Sequence, residues 1–150
     1  MKIIIYLAFV LAAVTCNETN EQSLDKDKEE CIVELSLERD EMAKLDKLDL
    51  PPDSNTDFNK LVECISKKKG LMTPNGEIIF PELKELYLEV SKVKNLSKIV
   101  QYSYEIFISQ ILSRCEKQII DDAEPGKNMI LVQRCISNEF ENVKRLLPSS

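Results

Sequence analysis

The cysteines are the side chains of this sequence with the clearest chemistry. The chain has five cysteines, and Cys16 ends an apolar N-terminal stretch, which leaves Cys31, Cys64, Cys115 and Cys135. Cys16 is set aside because residues 1–16 have the features of a signal peptide, described below. The four other cysteines are an even number, which in a secreted chain predicts a disulfide framework, here of two bonds. The sequence permits three pairings, and the short loops favour Cys31–Cys64 and Cys115–Cys135.

Residue types that are missing narrow the function further. The chain has no histidine, no tryptophan and only three glycines. Without histidine there is no Ser-His or Cys-His nucleophile and no imidazole ligand for zinc, and three glycines are too few for a phosphate-binding loop. Glu105 and Glu116 do not form an acid–base pair on their predicted helix. We therefore predict a protein that is not an enzyme, with no catalytic residue, no metal and no cofactor.

Residues 1–16 have the features of a secretory signal peptide. Lys2 supplies the positive charge, and residues 3–14 form an apolar run that is too short for a good membrane span. Cleavage before Asn17 leaves one domain, residues 17–150, and removal of Lys2 changes the formal net charge from −6 to −7. We expect a secreted, extracellular protein that does not bind nucleic acid, because its surface is acidic. We expect no membrane insertion, because no other stretch of the sequence is apolar enough to cross a bilayer.

Helices are expected to position the cysteines, because apolar residues recur at intervals of three and four along the chain. Residues 24–48 read as helical, with a break at 36–39, and Pro51-Pro52 ends that region. Residues 123–126 are predicted to form a loop. The remaining predicted helices cover about 55–69, 81–92, 96–120 and 128–146.

Two of the three glycines lie in the segment 67–80, KKKGLMTPNGEIIF. Gly70 follows a run of lysines at a predicted helix end, where a residue that tolerates positive φ is favoured. Gly76 ends Thr73-Pro74-Asn75-Gly76, which is typical of a tight turn. We expect Gly70 to end one helix and Gly76 to turn the chain toward the next.

The same segment carries a family resemblance. Lys68-Lys69-Gly70-Leu71-Met72, followed by Asn75-Gly76-Glu77-Ile78 and combined with the cysteine spacing, resembles the insect odorant-binding protein family, also called the pheromone/general odorant-binding family. The resemblance covers about residues 25–145. It implies an all-α fold of about six helices around an internal apolar cavity.

The cysteines match four of the six that most members of that family carry. Lys60 and Gly126 stand at the positions of the two that are missing, and those two pair with each other in six-cysteine members. This pattern resembles the four-cysteine "C-minus" type. The resemblance implies the bridges Cys31–Cys64 and Cys115–Cys135.

The resemblance also implies a function in olfaction or transport, as a carrier of small hydrophobic ligands such as odorants, pheromones or other lipophilic molecules. A membrane receptor or a homodimer is a further implied partner. Tyr87, Tyr104 or Ser103 is predicted to supply a polar contact. Plain core packing is the alternative role for each apolar position. The predicted cavity lining is Leu71, Met72, Ile78, Phe80, Leu83, Tyr87, Val100, Tyr104, Phe107, Ile108, Ile111, Leu131 and Phe140.

Three other functions stay open at this point. The first is a secreted helical protein of saliva, venom or reproductive fluid that acts through its surface. The second is a helical cytokine-like signal, which an exposed apolar patch of several hundred Å² would mark. The third is a hydrolase, which would need two inward-facing carboxylates with perturbed titration.

Overall fold

The computed structural model describes residues 18–48, 52–91 and 95–146, so the predicted signal peptide lies outside the described residues. The described residues contain six α-helices and no β-strand, which confirms the predicted all-α class. A short 3-10 helix, Glu116–Gln118, extends the fifth helix. The helices are α1 (Glu18–Glu34), α2 (Arg39–Asp46), α3 (Thr56–Lys68), α4 (Phe80–Val90), α5 (Lys98–Cys115) and α6 (Pro125–Leu146).

The predicted break at 36–39 separates α1 from α2. Ser36 adopts a left-handed conformation with φ of 53°, and the Leu37 N–H donates to the Ile32 carbonyl at 3.0 Å. This is the Schellman arrangement that ends many helices, here with serine in place of the usual glycine. Leu37 then packs against the core, so the break also directs α2 back onto the domain.

Both ends of α3 follow local sequence signals. The Asn55 side chain accepts a hydrogen bond from the Phe58 N–H at 2.8 Å, which caps the first turn. At the other end Gly70 has φ of 70° and the Leu71 N–H donates to the Ser66 carbonyl. Gly76, with φ of 91°, closes the next turn, so the predicted roles of both glycines are confirmed.

The predicted loop at 123–126 is two residues too long, because α6 already begins at Pro125. Proline suits the first turn of a helix, where its missing N–H leaves no hydrogen bond unmade. Gly126 allows α6 to lie directly against α3: a Cβ built at this position would be 1.8 Å from the Asn59 carbonyl oxygen. Glycine therefore permits this close approach of the two helix backbones.

The core consists of two groups of buried residues, and Ile78 and Leu86 pack against both. The first core cluster joins α1, α2, α3 and the start of α6; it is Cys31, Ile32, Met42, Phe58, Leu61, Val62, Ile65, Leu71, Met72, Met129 and Ile130. The second core cluster joins α4, α5 and α6; it is Leu83, Tyr87, Leu88, Ile108, Ile111, Leu112, Cys115, Val132 and Ile136.

The two disulfides have the predicted pairing. Cys31–Cys64 joins α1 to α3 with its Cα atoms 5.9 Å apart, and Cys115–Cys135 joins α5 to α6 with its Cα atoms 5.5 Å apart. In each bridge one cysteine is fully buried and belongs to a core cluster: Cys31 to the first and Cys115 to the second. Each bridge therefore fixes two of the helices that enclose its cluster.

Candidate functional site

Four aromatic rings from three helices form a continuous group beside the second core cluster. The ring centroids of Tyr87 on α4 and Phe140 on α6 are 6.1 Å apart, and those of Phe140 and Phe107 on α5 are 5.8 Å apart. Tyr104 on α5 follows, with its centroid 6.0 Å from that of Phe107. These distances lie in the range of favourable aromatic pairs. We call Tyr87, Tyr104, Phe107 and Phe140 the aromatic cluster.

The aromatic cluster extends from the core toward the surface. Tyr87 is buried, whereas Tyr104, Phe107 and Phe140 are half-buried. The apolar faces of α4, α5 and α6 therefore meet at the aromatic cluster, which is only partly closed to solvent. Such an arrangement suits a small apolar ligand, since apolar and aromatic side chains line most ligand sites in proteins.

Eleven of the thirteen predicted lining residues belong to a core cluster or pack against one. Two do not: Val100 is 46% exposed, and Leu131 is half-buried outside both clusters. Ser103, a predicted polar contact, is exposed and donates its hydroxyl hydrogen to the Ile99 carbonyl of its own helix. The eleven are divided between the clusters: Leu71 and Met72 belong to the first, Ile78 packs against both, and the second contains or is contacted by Phe80, Leu83, Tyr87, Tyr104, Phe107, Ile108, Ile111 and Phe140.

The two tyrosines of the aromatic cluster are neutral hydrogen-bonding groups. Burial raises the pKa of the Tyr87 phenol, and the nearby Tyr104 adds to this effect. Burial also raises the pKa of Tyr104, against the opposite effect of a side-chain hydrogen bond with Ser91. The aromatic cluster therefore carries no tyrosinate charge near neutral pH and favours an uncharged ligand.

The raised pKa of Tyr87 predicts a loss of stability in alkali. Because the unfolded chain releases this proton near pH 10 and the folded chain only above it, the stability is fully present below about pH 10 and falls as the pH rises further. Tyr87→Phe is expected to reduce that decline. Urea unfolding at about pH 8 and pH 10.5 measures it, with the exposed Tyr102→Phe as control. Equal declines in Tyr87→Phe and wild type would contradict the prediction.

Besides the aromatic cluster, the structure shows a stripe of exposed apolar side chains on α5 that was not predicted from the sequence. Ile99, Tyr102 and Ile106 are 81%, 66% and 42% exposed and lie three and four residues apart, so they form one stripe along α5. Leu96 and Val100 lie beside its N-terminal end and are also exposed. We call Leu96, Ile99, Val100, Tyr102 and Ile106 the α5 face.

An open groove continues the α5 face toward the C-terminus of the helix. It has a volume of about 550 Å³. Its lining mixes apolar, polar and charged side chains: Lys84, Tyr102, Glu105, Ile106, Ser109, Gln110, Ser113 and Arg114. A smaller groove of about 380 Å³ lies beside Cys64. Neither groove is lined by any of the predicted lining residues.

The side chains of the described residues offer one group with the spacing of metal ligands, Cys31, Glu34 and Cys64. Its two sulfur atoms are bonded to each other in a disulfide, so they are not available as thiolate ligands.

The comparisons with known proteins give the family. The model of the PBP/GOBP family matches residues 13–139. The chain therefore belongs to the insect pheromone/general odorant-binding protein family. This is a family of binding proteins rather than of enzymes, and its members are typically secreted. Comparison with curated proteins and with solved structures gave no match.

Each helix among the described residues is too short or too polar to cross a lipid bilayer.

Proposed function

We propose that the protein is a secreted carrier that binds a small hydrophobic ligand among α4, α5 and α6, at the aromatic cluster. The observation that carries the proposal is the meeting of four aromatic rings from three helices at a partly open edge of the core. Family membership supports ligand binding in general. The apolar lining and neutral phenols support an uncharged, lipophilic ligand.

The energetics of such a site fit a reversible carrier. Burial of apolar surface contributes about 25 cal/mol per Å², so a ligand that buries about 300 Å² gains about 7 kcal/mol. Part of this gain offsets the entropy lost on association, and dissociation constants in the micromolar range are expected. A carrier with this affinity takes up a scarce lipophilic molecule and releases it again.

Ligand entry is proposed to occur by movement of α4. The disulfides join α1 to α3 and α5 to α6, whereas the sequence of α4 contains no cysteine. Packing holds α4 in place, through residues such as Leu83 and Tyr87 in the second core cluster. A small displacement of α4 would separate Tyr87 from Phe140 and open a path between the rings.

Residues 1–16 are proposed to direct secretion, and the chain is proposed to be of the four-cysteine C-minus type. Lys60, at one position of the missing bridge, has a side chain that is about half exposed, in an ion pair with Asp57. Gly126, at the other position, packs on the Asn59 backbone. Direct contact between α3 and α6 supports the view that this pair of helices needs no covalent bond.

Direct binding of a fluorescent apolar probe, N-phenyl-1-naphthylamine, tests the carrier function. We expect wild-type protein to bind the probe with micromolar affinity and Phe107→Ala to bind it about tenfold more weakly, because ring contacts are worth about 0.5–1.5 kcal/mol beyond area. Tyr102→Ala, which removes an exposed ring from the same helix, is the control and should bind normally.

Two results would count against the carrier proposal. One is a wild-type protein that binds no probe at all. The other is an equal loss of affinity in Phe107→Ala and Tyr102→Ala, which would place the probe on the surface of α5.

The α5 face supports a second candidate function, contact with another protein chain. From their fractional exposure, its five side chains expose about 600 Å², at the upper end of the largest patch of a typical monomer and near the ~800 Å² per partner of a stable interface. We propose a second copy of this chain as the partner. A two-fold axis near Ile106 would set the bulky Ile99 and Tyr102 of one copy into the groove beside Ser109 and Ser113 of the other.

Sedimentation velocity tests this dimer. Wild-type protein is expected to sediment as a dimer at about 100 µM, and Ile99→Glu as a monomer, because a charge would be buried in the apolar contact. Val33→Glu, at an exposed position on α1, is the control and should remain a dimer. A wild-type monomer at this concentration would exclude a stable dimer.

A further inference from the structure

Among the described residues, the core contains an amide nitrogen without a hydrogen-bond partner. Gln133 on α6 is only 4% exposed, and its Nε2 atom is buried and makes no hydrogen bond with any described residue. The large majority of buried side-chain polar atoms in proteins have a partner, because an unpaired buried donor lowers stability. This donor therefore needs an explanation.

The position of Gln133 places its amide between the two core clusters. Residues three and four apart lie on the same face of a helix, so Gln133 is one turn from Ile130 in the first cluster and one turn from Ile136 in the second. Ile78 and Leu86 also pack against both clusters. Because Ile136 belongs to the second core cluster, position 133 lies one helical turn from the apolar side chains beside which the ligand site is proposed.

On α6 itself the neighbours of Gln133 offer few partners to a bound water. A buried water usually makes about three hydrogen bonds to polar groups. Of the positions one helical turn from Gln133, Met129, Ile130 and Ile136 are apolar, and Ser137 alone is polar. In the other buried amide, Asn59, the nitrogen is paired: Nδ2 donates to the Asp53 carbonyl and to Glu124, and the unpaired atom is the acceptor Oδ1.

We propose that the Gln133 amide is the polar contact of the ligand site and donates a hydrogen bond from Nε2 to an oxygen atom of the ligand. The ligand class that follows is an aliphatic molecule with one acceptor oxygen, such as a ketone, aldehyde or ester. The inference rests on the proposed carrier function. It gives Gln133 the role for which Tyr87, Tyr104 and Ser103 were predicted; Tyr104 already has Ser91 as a partner, and Ser103 is exposed.

Gln133→Met tests this assignment, since methionine has a similar length and no donor. The compounds are 2-octanone and nonane, which have equal numbers of non-hydrogen atoms, measured by displacement of N-phenyl-1-naphthylamine. We expect the substitution to raise the Kd of 2-octanone about tenfold and to leave that of nonane unchanged or lower. The ratio of the two constants thus changes about tenfold, independently of the different solubilities of the compounds in water.

The control is Gln110→Met, the same replacement at an exposed position on α5; it should keep the wild-type ratio. The ligand-free Gln133→Met protein should also melt several degrees higher than wild type, because an unpaired buried donor is removed. If the ratio of the two Kd values in Gln133→Met stays within twofold of wild type, or if the ligand-free variant melts at a lower temperature, the assigned role of Gln133 is overturned but the carrier function is not. A wild-type protein that binds neither compound nor the probe would overturn the carrier function as well.

Discussion

Substitution of Gly126 by alanine is expected to lower the free energy of unfolding by about 2–3 kcal/mol, although alanine normally stabilises a helix by about 1 kcal/mol relative to glycine. The reason is the close approach of α6 to α3. A Cβ atom at position 126 would lie 1.8 Å from the carbonyl oxygen and 2.6 Å from the carbonyl carbon of Asn59. Both atoms are backbone, so α3 and α6 must move apart to make room.

Urea unfolding followed by circular dichroism at pH 7 measures this effect. Asn138→Ala, at an exposed position on the same helix, is the matched control and is expected to be neutral or slightly stabilising. A Gly126→Ala protein as stable as wild type would show that the two helices do not pack as closely as described.

The same clash bears on the missing third bridge. A cysteine at position 126 has a Cβ atom too and meets the same backbone atoms of Asn59. The packing of α3 on α6 therefore supports the proposed C-minus type, because a cysteine at position 126 would require the two helices to move apart.

Removal of either disulfide is expected to have an effect of similar or greater size. The Cys31–Cys64 bridge spans 33 residues and the Cys115–Cys135 bridge spans 20. In the chain-entropy model each contributes about 3–4 kcal/mol, with slightly more from the longer loop. Whole domains are stable by only about 5–15 kcal/mol, so loss of both bridges should leave the chain largely unfolded.

The double variants Cys31→Ala/Cys64→Ala and Cys115→Ala/Cys135→Ala separate the two contributions. Alanine is preferred to serine because Cys31 and Cys115 are fully buried and a hydroxyl there would lack a partner. Urea unfolding of both variants beside wild type gives the two free energies, and thiol titration of unfolded wild type checks that no free cysteine exists among the four. Variants as stable as wild type would contradict the expected roles of the bridges.

The local features of the fold were predictable because their signals are local. Asn55 caps α3, and Gly70 and Gly76 adopt positive φ, as their positions beside helix ends and in a turn indicate. The start of α6 was not predictable in the same way. Pro125 and Gly126 are typical of a loop, and the helix there depends on contact with α3, a segment more than fifty residues away.

The candidate site was only partly predictable, because helical periodicity does not always identify the buried face. Periodicity identifies the buried face of a helix only when the opposite face is polar. On α5 apolar residues lie on both faces, so Ile108 is buried while Val100 and Ile99 are exposed. Gln133 was missed because a glutamine in an amphipathic helix does not reveal from sequence whether its amide has a partner.

Entry of a ligand into the core is tested most directly by methyl NMR of isoleucine-labelled protein titrated with 2-octanone. The proposed site predicts shifts of the methyl resonances of Ile108 and Ile111, which are almost fully buried in the second core cluster, and of Ile78 between the clusters. Ile99 and Ile106 on the α5 face should keep their positions. Saturable shifts confined to Ile99 and Ile106, or no shift at Ile108 and Ile111 at saturation, would contradict an internal site.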